Sequence, residues 1–127
     1  MKLLVDTHIV YWQFYEQKRL PERARELIIG AEAVFVSSAS IWEIAIKVRL
    51  GKLKLAAAYN DLFPGALMAD GFRELPTNLR HFRELLQMPF HHGDPFDRLL
   101  IAQARVEELT LVSRDAHLKD YGVPLLW

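Results

Sequence analysis

The sequence contains no cysteine, which excludes disulfide bonds, zinc sites built from thiolates and a catalytic thiol. It also has no net charge, because 16 lysines and arginines balance 16 aspartates and glutamates. Any contact with nucleic acid must therefore come from a local basic patch rather than from the field of the whole protein. No segment approaches the roughly 20 apolar residues that span a bilayer. We expect a cytoplasmic protein without membrane contact.

The chain has 127 residues, 51% of them hydrophobic, which suits one compact domain over residues 1–127 with a single core. Short apolar runs predict strands at 2–5, 33–36, 72–75, 110–113 and 123–127. Helical spacing and cap residues predict helices at about 8–16, 22–29, 40–50, 56–70, 77–88, from 94 onward, and at 114–121. The helix at 56–70 should be interrupted at Pro64-Gly65. This alternation predicts an α/β fold with a mostly parallel central sheet sandwiched by helices.

Four acidic residues take special places in this prediction. Asp6 ends the first strand, Glu43 lies in the first turn of the helix after the second strand, and Asp115 directly follows the strand at 110–113. Strand ends and the starts of following helices share one edge of a parallel sheet, so these three should be neighbours. Asp97 begins a helix that precedes a strand, and it joins them only if that helix packs suitably.

Each acid also has a purely structural interpretation. Glu43 comes three residues after Ser40, which is the capping-box spacing, and Asp97 stands in the same relation to Asp94. Asp6 could cap the helix that follows it, and Asp115 could simply interact favourably with a helix dipole. However, Asp6 follows an apolar strand, where an unpaired charge is costly. Several acids facing one pocket would repel each other unless a cation neutralised them.

Carboxylates without histidine or cysteine partners prefer hard cations, which favours Mg²⁺, with Mn²⁺ as a substitute. Such an ion activates water and stabilises charge on a phosphoryl group, so the chemistry indicated is phosphodiester hydrolysis. A zinc site at His91-His92 is the other metal hypothesis, but the sequence offers no second histidine pair or cysteine to complete it.

Residues beside the acids are candidates for substrate binding. Arg98 and Arg114 each flank a proposed site acid and could contact a phosphate, and the Ser113 hydroxyl could support a ligand or water. The alternative for both arginines is an ordinary surface ion pair. Asp94 is an extra acid, either a helix cap or an outer metal ligand.

Two further groups of residues have open roles. The first is a basic stretch, formed by Lys47, Arg49, Lys52 and Lys54. It is either a solvated face or a contact for an RNA backbone.

The second is a set of four aromatic residues: Tyr11, Trp12, Phe14 and Tyr15. They are too many for one inward stripe of a helix, so some should belong to the core and others could stack on RNA bases or face a partner.

Four segments, in order along almost the whole chain, resemble PIN-domain proteins: 3–8 (LLVDTH), 37–47 (SSASIWEIAIK), 94–104 (DPFDRLLIAQA) and 113–115 (SRD). Within that family the sequence is most similar to VapC, the toxin of type II toxin–antitoxin modules. The resemblance implies a magnesium-dependent endoribonuclease that acts on RNA, is usually a homodimer and is held inactive by a cognate VapB antitoxin. Carried over position by position, the catalytic and metal-binding residues are Asp6, Glu43, Asp97 and Asp115.

Three other functions remain open at this point. One is a PIN-domain nuclease outside a toxin system, and another is a PIN-like binding module without catalysis. The third is a phosphotransferase that uses Asp6 as nucleophile. Haloacid-dehalogenase-like enzymes would have a second acid two residues later, whereas this chain has His8 there.

Overall fold

The structure, a computed structural model, describes residues 1–89, 94–113 and the backbone of 125–126. Over those residues the sheet has five strands in the order β3-β2-β1-β4-β5. The strands are β1 (Lys2–Val5), β2 (Ala33–Ser37), β3 (Phe72–Leu75), β4 (Thr110–Val112) and β5 (Leu125–Leu126). Every pairing between neighbours is parallel, which confirms the predicted fold class.

Helices connect these strands. The described helices are α1 (Thr7–Tyr15), α2 (Glu22–Gly30), α3 (Ser38–Arg49), α4 (Tyr59–Asp61), α5 (Leu67–Ala69), α6 (Leu79–Gln87) and α7 (Pro95–Glu107), with a short 3₁₀ turn at Gln17–Arg19. The interruption predicted near Pro64 is confirmed, because Phe63 has non-helical backbone angles in the turn that joins α4 to α5. The helix predicted at 114–121 lies outside the described residues.

The sheet carries an apolar cluster on each face. Successive side chains of a strand point to opposite faces. In β1, Leu3 and Val5 belong to one cluster, which includes residues of α1, α2 and α3, and Leu4 belongs to the other, which includes residues of α7. The single core expected from the chain length is therefore wrong, because a sheet covered on both sides separates its apolar layers.

Local caps decide where α6 and α7 begin. The helix start predicted at residue 77, with Thr77 as its cap, is wrong, because the Asn78 side chain accepts hydrogen bonds from the backbone N–H groups of Arg80 and His81. The His81 ring accepts in return from the Asn78 N–H, which completes a capping box. Asp94 caps α7, with Pro95 at its first position. None of the helices among the described residues is both long and apolar enough to cross a membrane.

Candidate active site

Asp6 lies where β1 ends and α1 begins, and its carboxylate is buried, with 8% of the residue exposed. Its Oδ1 accepts a hydrogen bond from the Ile9 N–H at 3.0 Å, so Asp6 is the N-cap of α1. Its Oδ2 accepts from the Ser113 Oγ at 2.7 Å. Ser113 directly follows β4, the strand beside β1. Asp6 is therefore held between two neighbouring strand ends as well as capping a helix.

Burial raises the pKa of the Asp6 carboxyl above its ordinary value of 3.8, while the hydrogen bonds from Ser113 and Ile9 act in the opposite direction. The charged carboxylate thus costs free energy at this position because it has lost most of its hydration. A divalent cation would offset that cost, and carboxylate oxygen is the donor that Mg²⁺ prefers. The donor chemistry of Asp6 fits a hard metal ion.

Glu43 lies in the second turn of α3 and not in the first, as the sequence had suggested. The N-cap is Ser37, whose Oγ accepts from the Ala39 N–H at 3.0 Å. The capping-box interpretation of Glu43 with Ser40 is therefore wrong. The Glu43 side chain is only 12% exposed, and its Oε2 forms an ion pair with the Lys47 Nζ at 2.9 Å. Glu43 is consequently free of any capping role and already carries a positive partner.

A buried contact joins the starts of α1 and α3. The Thr7 Oγ1 donates to the Ser40 Oγ at 2.9 Å, and both residues are buried. Thr7 follows Asp6 in the chain, while Ser40 is one helical turn before Glu43. This hydrogen bond therefore fixes the helix that begins at Asp6 against the helix that carries Glu43.

Asp97 lies in the first turn of α7. Because α7 precedes β4 in a parallel sheet, it starts at the edge where the strands end and returns to the edge where β4 begins. The neighbouring Phe96 ring makes an edge-on contact with the Trp42 ring, with centroids 5.4 Å apart. Since Trp42 precedes Glu43, the first turn of α7 lies against the part of α3 that carries Glu43.

The structure thus places Asp6, Glu43 and Asp97 at the cap or in the first two turns of three helices that begin at the same edge of the sheet. Over residues 1–89 and 94–113, no three acidic or histidine side chains are close enough to hold one ion. Asp115, the fourth predicted acid, lies outside the described residues. The shared metal centre therefore stays a prediction.

The other candidate residues have different outcomes. Ser113 contacts Asp6, so its position in the structure suits orientation of that carboxylate. Arg98 donates to the Leu85 carbonyl oxygen of α6 at 3.5 Å, a contact within the fold that leaves its predicted role with substrate untested. Arg114, His91 and His92 lie outside the described residues.

Sequence reasoning did not identify two of these contacts. The Glu43–Lys47 pair has the i, i+4 spacing of helical ion pairs, so the sequence did contain a signal for it. The Thr7–Ser40 contact joins residues 33 positions apart, and no local pattern could have indicated it.

The chain belongs to the PIN-domain family, whose model matches residues 3–124. It is 27% identical over 123 residues to Ribonuclease VapC22 of Mycobacterium tuberculosis, which covers 96% of this chain and 93% of that protein. The resemblance to VapC found in the sequence is therefore confirmed.

Solved structures share the fold at lower sequence identity. FitAcB from Neisseria gonorrhoeae superposes with a TM-score of 0.73 at 19% identity, covering 98% of this chain and 96% of that one. VapBC2 from Rickettsia felis, bound to a DNA fragment from its promoter, superposes with a TM-score of 0.74 at 15% identity, covering 99% and 98%. The likeness extends over essentially the whole described fold.

Proposed function

We propose that this protein is a magnesium-dependent endoribonuclease of the VapC type, the toxin component of a type II toxin–antitoxin module. The observation that carries the proposal is the buried Asp6 carboxylate, whose pKa is raised by burial, at the sheet edge where α3 and α7 also present acids. Membership of the PIN-domain family and the similarity to Ribonuclease VapC22 support the same reaction.

The metal-binding and catalytic residues in this proposal are Asp6, Glu43, Asp97 and Asp115. A bound Mg²⁺ would supply an activated water and neutralise charge on the phosphate. The chain's own residues set the geometry: Ser113 and the Ile9 N–H orient the Asp6 oxygens. Lys47 neutralises Glu43, and it would be available to a substrate phosphate if Glu43 held a metal ion. Arg98 and Arg114 are further candidates for phosphate contact.

The partners proposed are an RNA substrate, a VapB-like antitoxin and a second copy of the chain in a homodimer, in the cytoplasm. Support for the antitoxin comes from the VapBC2 complex among the similar structures. A small antitoxin-like reading frame beside the gene, and co-purification of its product with this protein, would distinguish a toxin from a PIN-domain nuclease of another pathway. The product of such a frame should abolish cleavage at a one-to-one ratio.

The direct test is cleavage of labelled RNA by purified protein. Cleavage should require Mg²⁺ or Mn²⁺ and stop in excess chelator. Asp6→Asn and Asp97→Asn should each lower the rate by at least a hundredfold while the far-ultraviolet circular dichroism is retained. Asp61→Asn is a matched control, because Asp61 is an exposed acid of α4, and it should cleave at the wild-type rate. Persistent cleavage in chelator would contradict the metal mechanism, and full activity of both site variants would contradict the assignment.

A further inference from the structure

A surface formed by α1 and by the end of α3 with the segment after it combines aromatic rings with basic side chains. The rings of Tyr11 and Tyr15, on one face of α1, are stacked with their centroids 4.9 Å apart and their planes inclined by 26°. The Tyr11 hydroxyl donates to the Lys54 carbonyl oxygen at 3.1 Å. This bond holds the segment after α3 against α1, so the basic stretch and the tyrosines form one surface.

The charge of this surface differs from that of the whole chain. Residues 44–60 include four basic side chains and no acid, whereas the complete sequence is neutral. Lys47 is paired with Glu43. The next three, Arg49, Lys52 and Lys54, are exposed, and among the described residues no acidic side chain lies within ion-pair distance of them. Three like charges in this segment therefore have no acidic partner within the part of the chain that the structure describes.

The helices that carry this surface begin at the proposed active site. Asp6 caps α1 and Glu43 lies in α3, and the two helices are joined by the buried Thr7–Ser40 contact. From Glu43 to Arg49 the helix advances about 9 Å. The following turn folds back, because the Lys52 N–H donates to the Lys47 carbonyl oxygen at 2.8 Å. A chain bound at the carboxylates could therefore run along α3 onto the basic stretch, while Glu16, the exposed acid that follows Tyr15, is paired with Arg19 at 3.6 Å.

We propose that this α1–α3 track, formed by Tyr11, Tyr15, Arg49, Lys52 and Lys54, binds a single-stranded segment of the RNA substrate. A base stacks on the exposed face of Tyr15, and backbone phosphates contact the three basic side chains. The inference rests on the proposed ribonuclease function and adds the strand state of the substrate and its path. An acidic protein segment would satisfy the charges alone, whereas unpaired RNA uses both the charges and the rings. In a duplex the base faces are stacked on one another and unavailable to Tyr15.

The test measures binding separately from cleavage. Fluorescence anisotropy of a fluorescein-labelled oligouridine is followed in excess chelator, with an RNA duplex of equal length as comparison. Tyr15→Leu removes the aromatic face but keeps an apolar side chain, and should weaken oligouridine binding about tenfold. The triple variant Arg49→Gln, Lys52→Gln, Lys54→Gln should lower the slope of log affinity against log salt by about 2, as expected for three lost contacts at about 0.7 each on a single strand.

Matched controls carry the same changes elsewhere. Phe82→Leu alters an exposed ring of α6, and the triple variant Lys2→Gln, Arg23→Gln, Arg83→Gln removes three exposed positive charges from other elements. Both should bind oligouridine with nearly the wild-type affinity. Circular dichroism and urea unfolding of all variants exclude loss of the fold as the cause.

Several results would overturn the proposal. Equal loss of affinity in the track and control triple variants would mean that only total charge matters. Duplex binding as tight as oligouridine binding, or an unchanged affinity of Tyr15→Leu, would refute the stacking of an unpaired base. Competition by polyglutamate that depends on the basic residues but not on Tyr15 would identify an acidic protein as the occupant. Failure of the ribonuclease proposal would show separately, as absence of cleavage in Mg²⁺ by a protein that binds oligouridine.

Discussion

The hydrogen bond between Thr7 and Ser40 should stabilise the fold and set the spacing of Asp6 and Glu43, two acids of the proposed site. Both hydroxyls are buried, and Ser40 is only 1% exposed. Thr7→Val or Ser40→Ala would each leave one of them without this partner, at a cost of about 1–3 kcal/mol. At a typical urea dependence, 2 kcal/mol lowers the unfolding midpoint by about 1 M. The double variant Thr7→Val, Ser40→Ala removes both hydroxyls, so neither is left without its partner. Its loss of unfolding free energy should therefore be well below the sum of the two single losses, with a coupling energy of at least ~1 kcal/mol.

The assay is a double-mutant cycle from urea unfolding, with the magnesium dependence of RNA cleavage measured on the same variants. Because the contact fixes the helix of Asp6 against that of Glu43, each variant should need more Mg²⁺ for half-maximal rate. Ser38→Ala is the control, since the Ser38 hydroxyl donates to Glu74 at the same 2.9 Å but on the exposed surface. It should cost less than about 0.5 kcal/mol. Additive costs in the cycle, within experimental error, would refute the reasoning.

Asp6→Asn should stabilise the metal-free protein at neutral pH by roughly 1 kcal/mol. Since burial raises the folded-state pKa of Asp6, the unfolded chain loses this proton first as pH rises, and stability is lost from about pH 3.8 upward. Urea unfolding should therefore show the advantage of the variant shrinking as pH falls toward that value. Lys47→Met removes the cation that occupies Glu43, and should lower the Mg²⁺ or Mn²⁺ concentration for half-maximal thermal stabilisation about threefold. His81→Ala should cost about 3 kcal/mol in urea unfolding, because it removes a buried ring that bonds to both Asn78 and Glu107.

Each of these predictions has a matched control. Asp70→Asn changes an exposed acid and should leave neutral-pH stability within about 0.5 kcal/mol of wild type. A loss of stability in Asp6→Asn would contradict the conclusion that the buried Asp6 charge destabilises the metal-free fold. Arg49→Met removes an exposed charge from the last residue of the same helix and should leave metal binding unchanged. Equal shifts in the Arg49 and Lys47 variants would mean that the Lys47 effect is one of total charge only. Arg83→Ala, on the exposed side of α6, should be nearly neutral, and a comparably small cost for His81→Ala would show that the capping box contributes little.

Strand positions followed well from the sequence, as did the starts of α2 and α7, whereas the starts of α3 and α6 did not. The apolar runs of β1 and β2 are short and bounded by polar residues, so their length and place were readable. Ser37, Ser38 and Ser40 are all good caps, and the sequence could not choose among them. The pairing of β2 with β3 extends through Ser37, so the helix starts directly after it. At α6, the ring of His81 meets the Asn78 N–H, which favours Asn78 over Thr77.

The candidate site divides in the same way. The sequence by itself determined which residues could serve, because acids at a strand end or in the early turns of a helix are recognisable from local patterns: Asp6, Glu43 and Asp97. Only the tertiary structure decided what surrounds them. Ser113 reaches Asp6 across 107 positions, and Thr7 reaches Ser40 across 33. Local patterns report backbone preferences over a few residues, whereas burial of Asp6, and the pKa shift that follows from it, arises only when separate strands and helices pack together.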